Sequence, residues 1–238
     1  MSHPRFDAIV FDLDGTLVDS RADLAAAANH ALLTHGYPTL SEARIASYVG
    51  DGARTLIARA AGTSVAGEQL NALVATFLDV YAAHVCDKTT LMPGAGYALA
   101  ALSGMPLAVL TNKPSAPTAL LLRHLDISKY FRCVIGGGDL AHLKPNPEPL
   151  FEIGRRLGVA SNRMLMVGDG PQDVECGRNA GASTLGLAGG IADPAQLRAA
   201  NPDYWLESLA ELPRLVFGAE DTADTMALLR SPALKGDN

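Results

Sequence analysis

Five short apolar runs punctuate the chain, at residues 8–11, 107–110, 133–135, 165–167 and 184–187. None of them alternates apolar with polar side chains. Strands that read this way are buried on both faces, as in a parallel sheet covered by helices on each side. Stretches near 95–103, 115–125, 147–157 and 172–180 read as helices and separate the later runs. That is where right-handed crossovers between parallel strands need them, and the pattern predicts an α/β fold.

About 90 residues separate the first run from the second, too many for one crossover and too helix-rich for an irregular loop. An inserted domain is the economical reading, with helices near 21–35, 41–48, 52–61 and 67–85, and with Gly36, Gly50 and Gly62 at their stops. Leu70, Leu73, Val74, Phe77, Leu78 and Tyr81 recur at helical spacing, a stripe that reads as core rather than as a ligand face. The chain thus divides into an α/β core at 1–16 and 89–213, a helical insert at 17–88 and a tail at 214–238. Periodicity fades in the tail apart from a short helix near 222–230.

Composition narrows the partners. At 238 residues, 48% hydrophobic and 18% charged, the chain is globular in composition and long enough to bury about 70% of its unfolded surface. Basic residues number 19 against 25 acidic ones, for a net charge of -6, and aromatics make up 5%. Neither a basic field that tracks phosphates nor a base-stacking platform is indicated, so no nucleic-acid partner is expected. Cys86, Cys133 and Cys176 are odd in number and far apart, which argues against a disulfide framework or a C-x-x-C metal site and fits a reducing compartment. No apolar run approaches the length of a membrane span. A cytoplasmic protein with no membrane partner, monomer or homodimer, is the expectation.

The chemistry lies at the strand ends. The first strand runs into Asp12-Leu13-Asp14-Gly15-Thr16, so two carboxylates two residues apart leave it on one side before Gly15 permits a turn. The fourth ends in Gly168-Asp169-Gly170-Pro171-Gln172-Asp173 and leads into a helix that Pro171 can start. Ligands of open α/β sheets bind in the crevice beyond these carboxyl ends. An Asp after a strand is commonly a turn or N-cap residue, and for Asp173 that reading stays open. For Asp12, Asp14 and Asp169 together, convergence on a ligand is the better account. Two unit charges ~4 Å apart repel by about 4 kcal/mol at an effective dielectric of 20, so such a cluster needs protons or a cation. An all-oxygen set without His or Cys selects a hard ion such as Mg²⁺. The second strand ends in Leu110-Thr111-Asn112-Lys113, and Lys144 lies in a loop restricted by Pro145, Pro147 and Pro149. A hydroxyl and an ammonium beside Mg²⁺ suit phosphoryl oxygens. Gly136-Gly137-Gly138-Asp139 fits a dinucleotide turn only superficially, because no crossover helix follows it directly, and no P-loop pattern is present.

Taken in order, Asp12-Leu13-Asp14-Gly15-Thr16-Leu17, Thr111, Lys144, and Gly168-Asp169 with Asp173 resemble the four motifs of the haloacid dehalogenase superfamily, and the likeness covers residues 6–206. It implies a Rossmann-like doubly wound parallel sheet whose helical insert is a cap domain. Within that family, Tyr48-Val49-Gly50-Asp51-Gly52-Ala53-Arg54, with Thr111-Asn112-Lys113-Pro114, is similar to the phosphoglycolate phosphatases. The resemblance implies a Mg²⁺-dependent phosphatase for a small phosphorylated substrate, 2-phosphoglycolate foremost. Asp12 would be the nucleophile that forms an aspartyl phosphate, and Asp14 the acid and base. Thr111 and Lys144 would hold the phosphoryl group. Asp12, the Asp14 carbonyl and Asp169 would hold the ion, with Asp173 ligating directly or through water. Gly170 departs from relatives that carry Ser there.

Gly50, Asp51, Gly52 and Arg54, with Asn112 and Lys113, are the expected substrate-binding residues, and Arg54 is expected to meet a substrate carboxylate. Three rivals stand beside this reading: a phosphomutase or sugar-phosphate phosphatase of the same fold, a receiver-like signalling module, and a non-catalytic binding protein.

Overall fold

The computed structural model describes residues 4–62 and 64–218. Its strands are β1 (Ala8–Phe11), β2 (Val18–Asp19), β3 (Thr90–Leu91), β4 (Leu107–Pro114), β5 (Cys133–Gly137), β6 (Met164–Gly168), β7 (Ser183–Leu187) and β8 (Tyr204–Leu206). The helices are α1 (Arg21–Thr34), α2 (Glu42–Ala46), α3 (Ala53–Ala61), α4 (Gly67–Ala83), α5 (Ala95–Ala101), α6 (Ser115–His124), α7 (Glu148–Leu157), α8 (Pro171–Asn179), α9 (Pro194–Ala199) and α10 (Leu212–Phe217). Six parallel strands form one sheet in the order β5-β4-β1-β6-β7-β8. Ile9 lies between Leu107 on one side and Leu165 on the other. The chain extends from β1 through β4 to β5 in one direction, then from β6 through β7 to β8 in the other. The crevice this reversal opens lies at the carboxyl ends of β4, β1 and β6.

The continuous apolar runs have a direct structural cause. Ile9, Phe11, Leu107, Val109, Leu165 and Val167 face one hydrophobic core, and Ala8, Val10, Ala108, Leu110, Met164 and Met166 face the other. Successive side chains of a strand point to opposite faces, so a sheet covered on both sides has no polar positions to offer. The first core receives α5, α6 and α10 together with α1–α4; the second receives α7 and α8.

Helices α1–α4 lie between β2 and β3, two short strands that pair antiparallel, Val18 opposite Leu91 and Asp19 opposite Thr90. The two strands that enter and leave this segment therefore run side by side. Buried Asp23 of α1 reinforces them, accepting hydrogen bonds from the Lys88 and Thr89 amides at 2.9 and 2.8 Å and from Thr89 Oγ1 at 2.7 Å. The apolar stripe of α4 is core, with Leu70, Leu73, Phe77 and Tyr81 buried and Val74 and Leu78 packed against them.

Three departures from the sequence reading have simple causes. The ribbon β2–β3, strand β8 and helix α9 are two to six residues long and carry too little periodicity to register. Strand β4 continues past Leu110 to Pro114 through a shift in register, because Thr111, Asn112 and Lys113 are polar yet buried. Helix α10 spans the expected tail boundary at 213/214 and buries Val216, whose carbonyl accepts from the Arg5 amide at 3.2 Å. The helix expected near 222–230 lies outside the described residues. Among the described residues, no helix is long and apolar enough to cross a membrane.

Candidate active site

Strand β1 delivers Asp12 to the crevice one residue beyond its end, and Gly15, at φ 85°, turns the chain back. Any side chain at Gly15 or at Gly190 would run into the Asp169 carboxylate, so both positions need glycine for close approach. Strand β6 delivers Asp169. Helix α8 delivers Asp173 from its first turn, where the carboxylate accepts from the Gly170 amide at 3.0 Å. That bond is half of a capping box, and Gly170 has no side chain to return it. Carboxylate oxygens of Asp12, Asp169 and Asp173 all lie within 4.8 Å of one another, and all three residues are buried.

One ammonium enters this group. Lys144 Nζ donates to Asp12 Oδ1 at 2.7 Å, to Asp173 Oδ1 at 2.5 Å and to the Leu110 carbonyl at 2.9 Å. Burial alone would lower the pKa of this lysine, but Asp12 and Asp173 outweigh it and hold the value above the ordinary lysine range. Asp169 is pushed up to about 6 by burial and by the Asp12 charge, against the opposing Ala192 and Ile191 amides. Asp173 is raised as well, by burial, with Lys144 pulling the other way and Asp12 and Asp169 adding to the rise. Fully ionised, three carboxylates against one ammonium would leave an excess of two negative charges in a buried pocket. Oxygen donors crowded and under-compensated in this way fit a hard divalent cation.

A second buried pair sits beside the first. Lys113 Nζ lies 2.9 and 3.0 Å from the two Asp14 oxygens, and Ser20 Oγ donates to Asp14 Oδ1 at 2.5 Å. The ammonium also lies 4.5 Å from the centroid of the Tyr81 ring. Burial would lower the Lys113 pKa, but Asp14 and then Tyr81 more than compensate. Burial pushes the Tyr81 phenol up to about 12, with the Lys113 charge in opposition. Lys113 is thus near enough to influence the phenol, yet among the described residues the hydroxyl has no partner at hydrogen-bonding length and angle.

Asp12, Asp14, Thr111, Asn112 and Lys113 line one cavity with Gly50, Gly52 and Ala53, and Leu24, Leu56, Phe77 and Tyr81 supply apolar walls. It is a small cavity, with a volume of about 40 Å³. Asn112 fastens two loops at its wall: Nδ2 donates to the Gly50 and Lys144 carbonyls at 2.9 and 3.0 Å, and Oδ1 accepts from the Lys144 amide at 2.9 Å. Thr111 Oγ1 accepts from the Lys113 amide at 3.2 Å.

The expected site residues therefore separate into two sets. Asp12, Lys144, Asp169 and Asp173 form the acidic centre; Asp14, Thr111, Asn112, Lys113, Gly50 and Gly52 surround the adjoining cavity. Arg54 and Asp51 do not reach it. Arg54 is exposed and donates to Asn71 Oδ1 at 2.7 Å, and Asp51 pairs with Arg59 at 2.6 Å on a separate groove. At the start of α3, Arg54 falls on the face that meets α4, and in this structure it points to Asn71 rather than into the cavity, where it was expected to meet a substrate carboxylate. Sequence reasoning missed Thr16, whose Oγ1 donates to Asp169 Oδ1 at 3.3 Å, although Thr16 belongs to the first motif. It also missed Ser20, and the Ile191 and Ala192 amides that hold Asp169 Oδ2 at 2.7 and 3.0 Å. Backbone donors leave no residue-type signal to find.

Comparison with known proteins agrees with this geometry. The family model described as haloacid dehalogenase-like hydrolase matches residues 9–187. The phosphoglycolate phosphatase of Escherichia coli (strain K12) is 35% identical over 226 residues, covering 86% of this chain and 90% of that protein. The phosphoglycolate phosphatase of Vibrio parahaemolyticus is 38% identical over 224 residues, covering 91% and 98%. A crystal structure from Haemophilus somnus 129PT, described as that of a predicted phosphoglycolate phosphatase, superposes with a TM-score of 0.84 at 30% identity and covers 89% of this chain and 98% of that one. With the motif residues gathered at the sheet edge and a match across most of its length, the chain belongs to the haloacid dehalogenase-like hydrolase family.

Proposed function

We propose that this protein is a Mg²⁺-dependent phosphatase that hydrolyses a small phosphate monoester, with 2-phosphoglycolate as its first candidate substrate. The observation that carries the reading is the meeting of Asp12, Asp169, Asp173 and Lys144 in one buried, net-negative group next to a cavity that also contains Asp14. The substrate class follows the names of the E. coli and V. parahaemolyticus relatives.

Asp12 Oδ attacks phosphorus, and the bond from phosphorus to the ester oxygen breaks with its electron pair going to that oxygen. Asp14 enters this step as the carboxylic acid and gives its proton to that oxygen, so glycolate leaves as an alcohol and an acyl phosphate remains on Asp12. Asp14 then takes a proton from water, the resulting hydroxide attacks phosphorus, and the bond to Asp12 breaks to release inorganic phosphate. Lys144 and Thr111 hold the phosphoryl oxygens. Asp12, the Asp14 carbonyl and Asp169 would hold Mg²⁺, with Asp173 ligating directly or through water. When bound, the ion neutralises charge on the phosphoryl oxygens and on the carboxylates around them.

Residues 17–88 serve as a cap over the core formed by 1–16 and 89–213, with the β2–β3 ribbon as its attachment. Gly50 and Gly52 meet the core at Gln172 and at the Asn112 carbonyl, where a side chain on either would crowd the contact. Asn112 bonds to Gly50, which supports a closed arrangement that excludes water from the acyl phosphate. A phosphate-release screen over phosphorylated acids, sugars and nucleotides tests the reading. With Mg²⁺, 2-phosphoglycolate should rank first, and EDTA should silence it. Release that is indifferent to EDTA, or absent for every monoester, would reject it.

A further inference from the structure

The cavity holds a cation and a donor that the steps above do not use. Its charged lining residues among the described residues are Asp12, Asp14 and Lys113, so Lys113 is the one cationic side chain among them that a second anionic group on the substrate meets there. An ammonium has three donors, and the two Asp14 oxygens occupy at most two of them. Tyr81 lines the same cavity, is 1% exposed, and its hydroxyl has no hydrogen-bond partner among the described residues. A buried hydroxyl without a partner is costly, and a site that binds a polar ligand group is where such a donor is kept. The amino end of α3 opens on the cavity through Gly52 and Ala53 with no side-chain cap, adding the positive end of a helix.

We propose that Lys113 Nζ and the Tyr81 hydroxyl form the subsite that takes the carboxylate of the phosphorylated substrate and so select short phospho-acids. The proposal rests on the phosphatase reading above. Distance bounds the length of the acid. Lys113 is held against Asp14, and Asp14 must touch the ester oxygen, so the carboxylate sits at most about three hydrogen-bond lengths, roughly 9 Å, from that oxygen. A carboxylate one methylene beyond the ester oxygen meets this limit. The apolar walls from Leu56 and Phe77 offer nothing to a sugar's hydroxyls. Arg54, turned to Asn71, has no part in the recognition.

The test compares kcat and KM for 2-phosphoglycolate and ethyl phosphate, close in size and differing in the carboxylate, on the Mg²⁺-loaded full chain. Wild type should favour 2-phosphoglycolate. Tyr81→Phe removes only the unpartnered hydroxyl, so the fold should be as stable as wild type or more so. It should lower kcat/KM for 2-phosphoglycolate about 10- to 100-fold through KM, the scale of one hydrogen bond to a charged group, and leave ethyl phosphate unchanged. Lys113→Met should harm both substrates, because Asp14 loses its partner, and should reduce the preference for 2-phosphoglycolate further. Equal loss on both substrates in Tyr81→Phe, or a wild type without preference, overturns the subsite while the phosphatase reading stands. A wild type that releases phosphate from neither substrate overturns both.

Discussion

Two buried lysine–aspartate groups stand side by side at the carboxyl edge of the sheet, and they are built to opposite ends. Lys144 is outnumbered: Asp12 and Asp173 share its ammonium, and Asp169 lies within reach of both. Lys113 is matched, one ammonium to the one carboxylate of Asp14, with an aromatic ring beside it. The first group has carboxylates in excess and suits a divalent cation. The second is neutral and lines the cavity. Similar lysine–aspartate pairs thus differ in charge balance.

Removing the nucleophile has the largest expected effect. Asp12→Asn should cut turnover by about 10⁴-fold or more while circular dichroism stays unchanged, since losing a covalent nucleophile costs on that scale. Next comes the contrast between the two lysines in the metal-free protein. Lys144→Met strands two carboxylates at once, so unfolding in denaturant should show about 3–5 kcal/mol of destabilisation, and Lys113→Met, which strands one, should show less. Equal losses would mean that the two groups do not differ in charge balance.

The pH response sharpens the same point. Asp169 has its folded pKa raised to about 6, so between the ordinary aspartate value near 4 and about 6 the folded state holds more protons than the unfolded one. Its contribution therefore makes the metal-free fold more stable below that window and weaker as pH rises through it. The Tm in EDTA should fall between pH 5 and pH 7.5, by less in Asp169→Asn, and Mg²⁺ should restore it at the higher pH. A wild-type Tm that rises with pH as much as that of the Asn variant would contradict this. The smallest effect belongs to Arg54→Ala, which should leave kcat/KM for 2-phosphoglycolate and ethyl phosphate nearly equal to wild type. A selective loss on 2-phosphoglycolate would bring Arg54 back to the cavity.

The acidic centre was legible because its members carry two signals at once: residue type and position after a buried apolar run. Asp12 and Asp169 follow strands whose side chains face two cores, which fixes the edge they reach. Lys144 was found through the motif order rather than by periodicity, since a loop residue has none. The direction of Arg54 was not legible, because spacing along the chain does not say which face of α3 meets α4. Tyr81 was read as core, and it is core by burial, but the residue also lines the cavity. An amphipathic stripe reveals which side is buried, not what it is buried against. Strand β4 extends through Thr111, Asn112 and Lys113 because these polar groups are partnered in the interior, and hydropathy alone stops the strand before them.

Calorimetric titration of the EDTA-treated protein with Mg²⁺, in wild type and Asp169→Asn, bears most directly on the shared-cation claim. The account predicts one ion bound per chain in wild type and loss of that binding in the variant. Binding of the same strength in both proteins, or none in wild type, would contradict it.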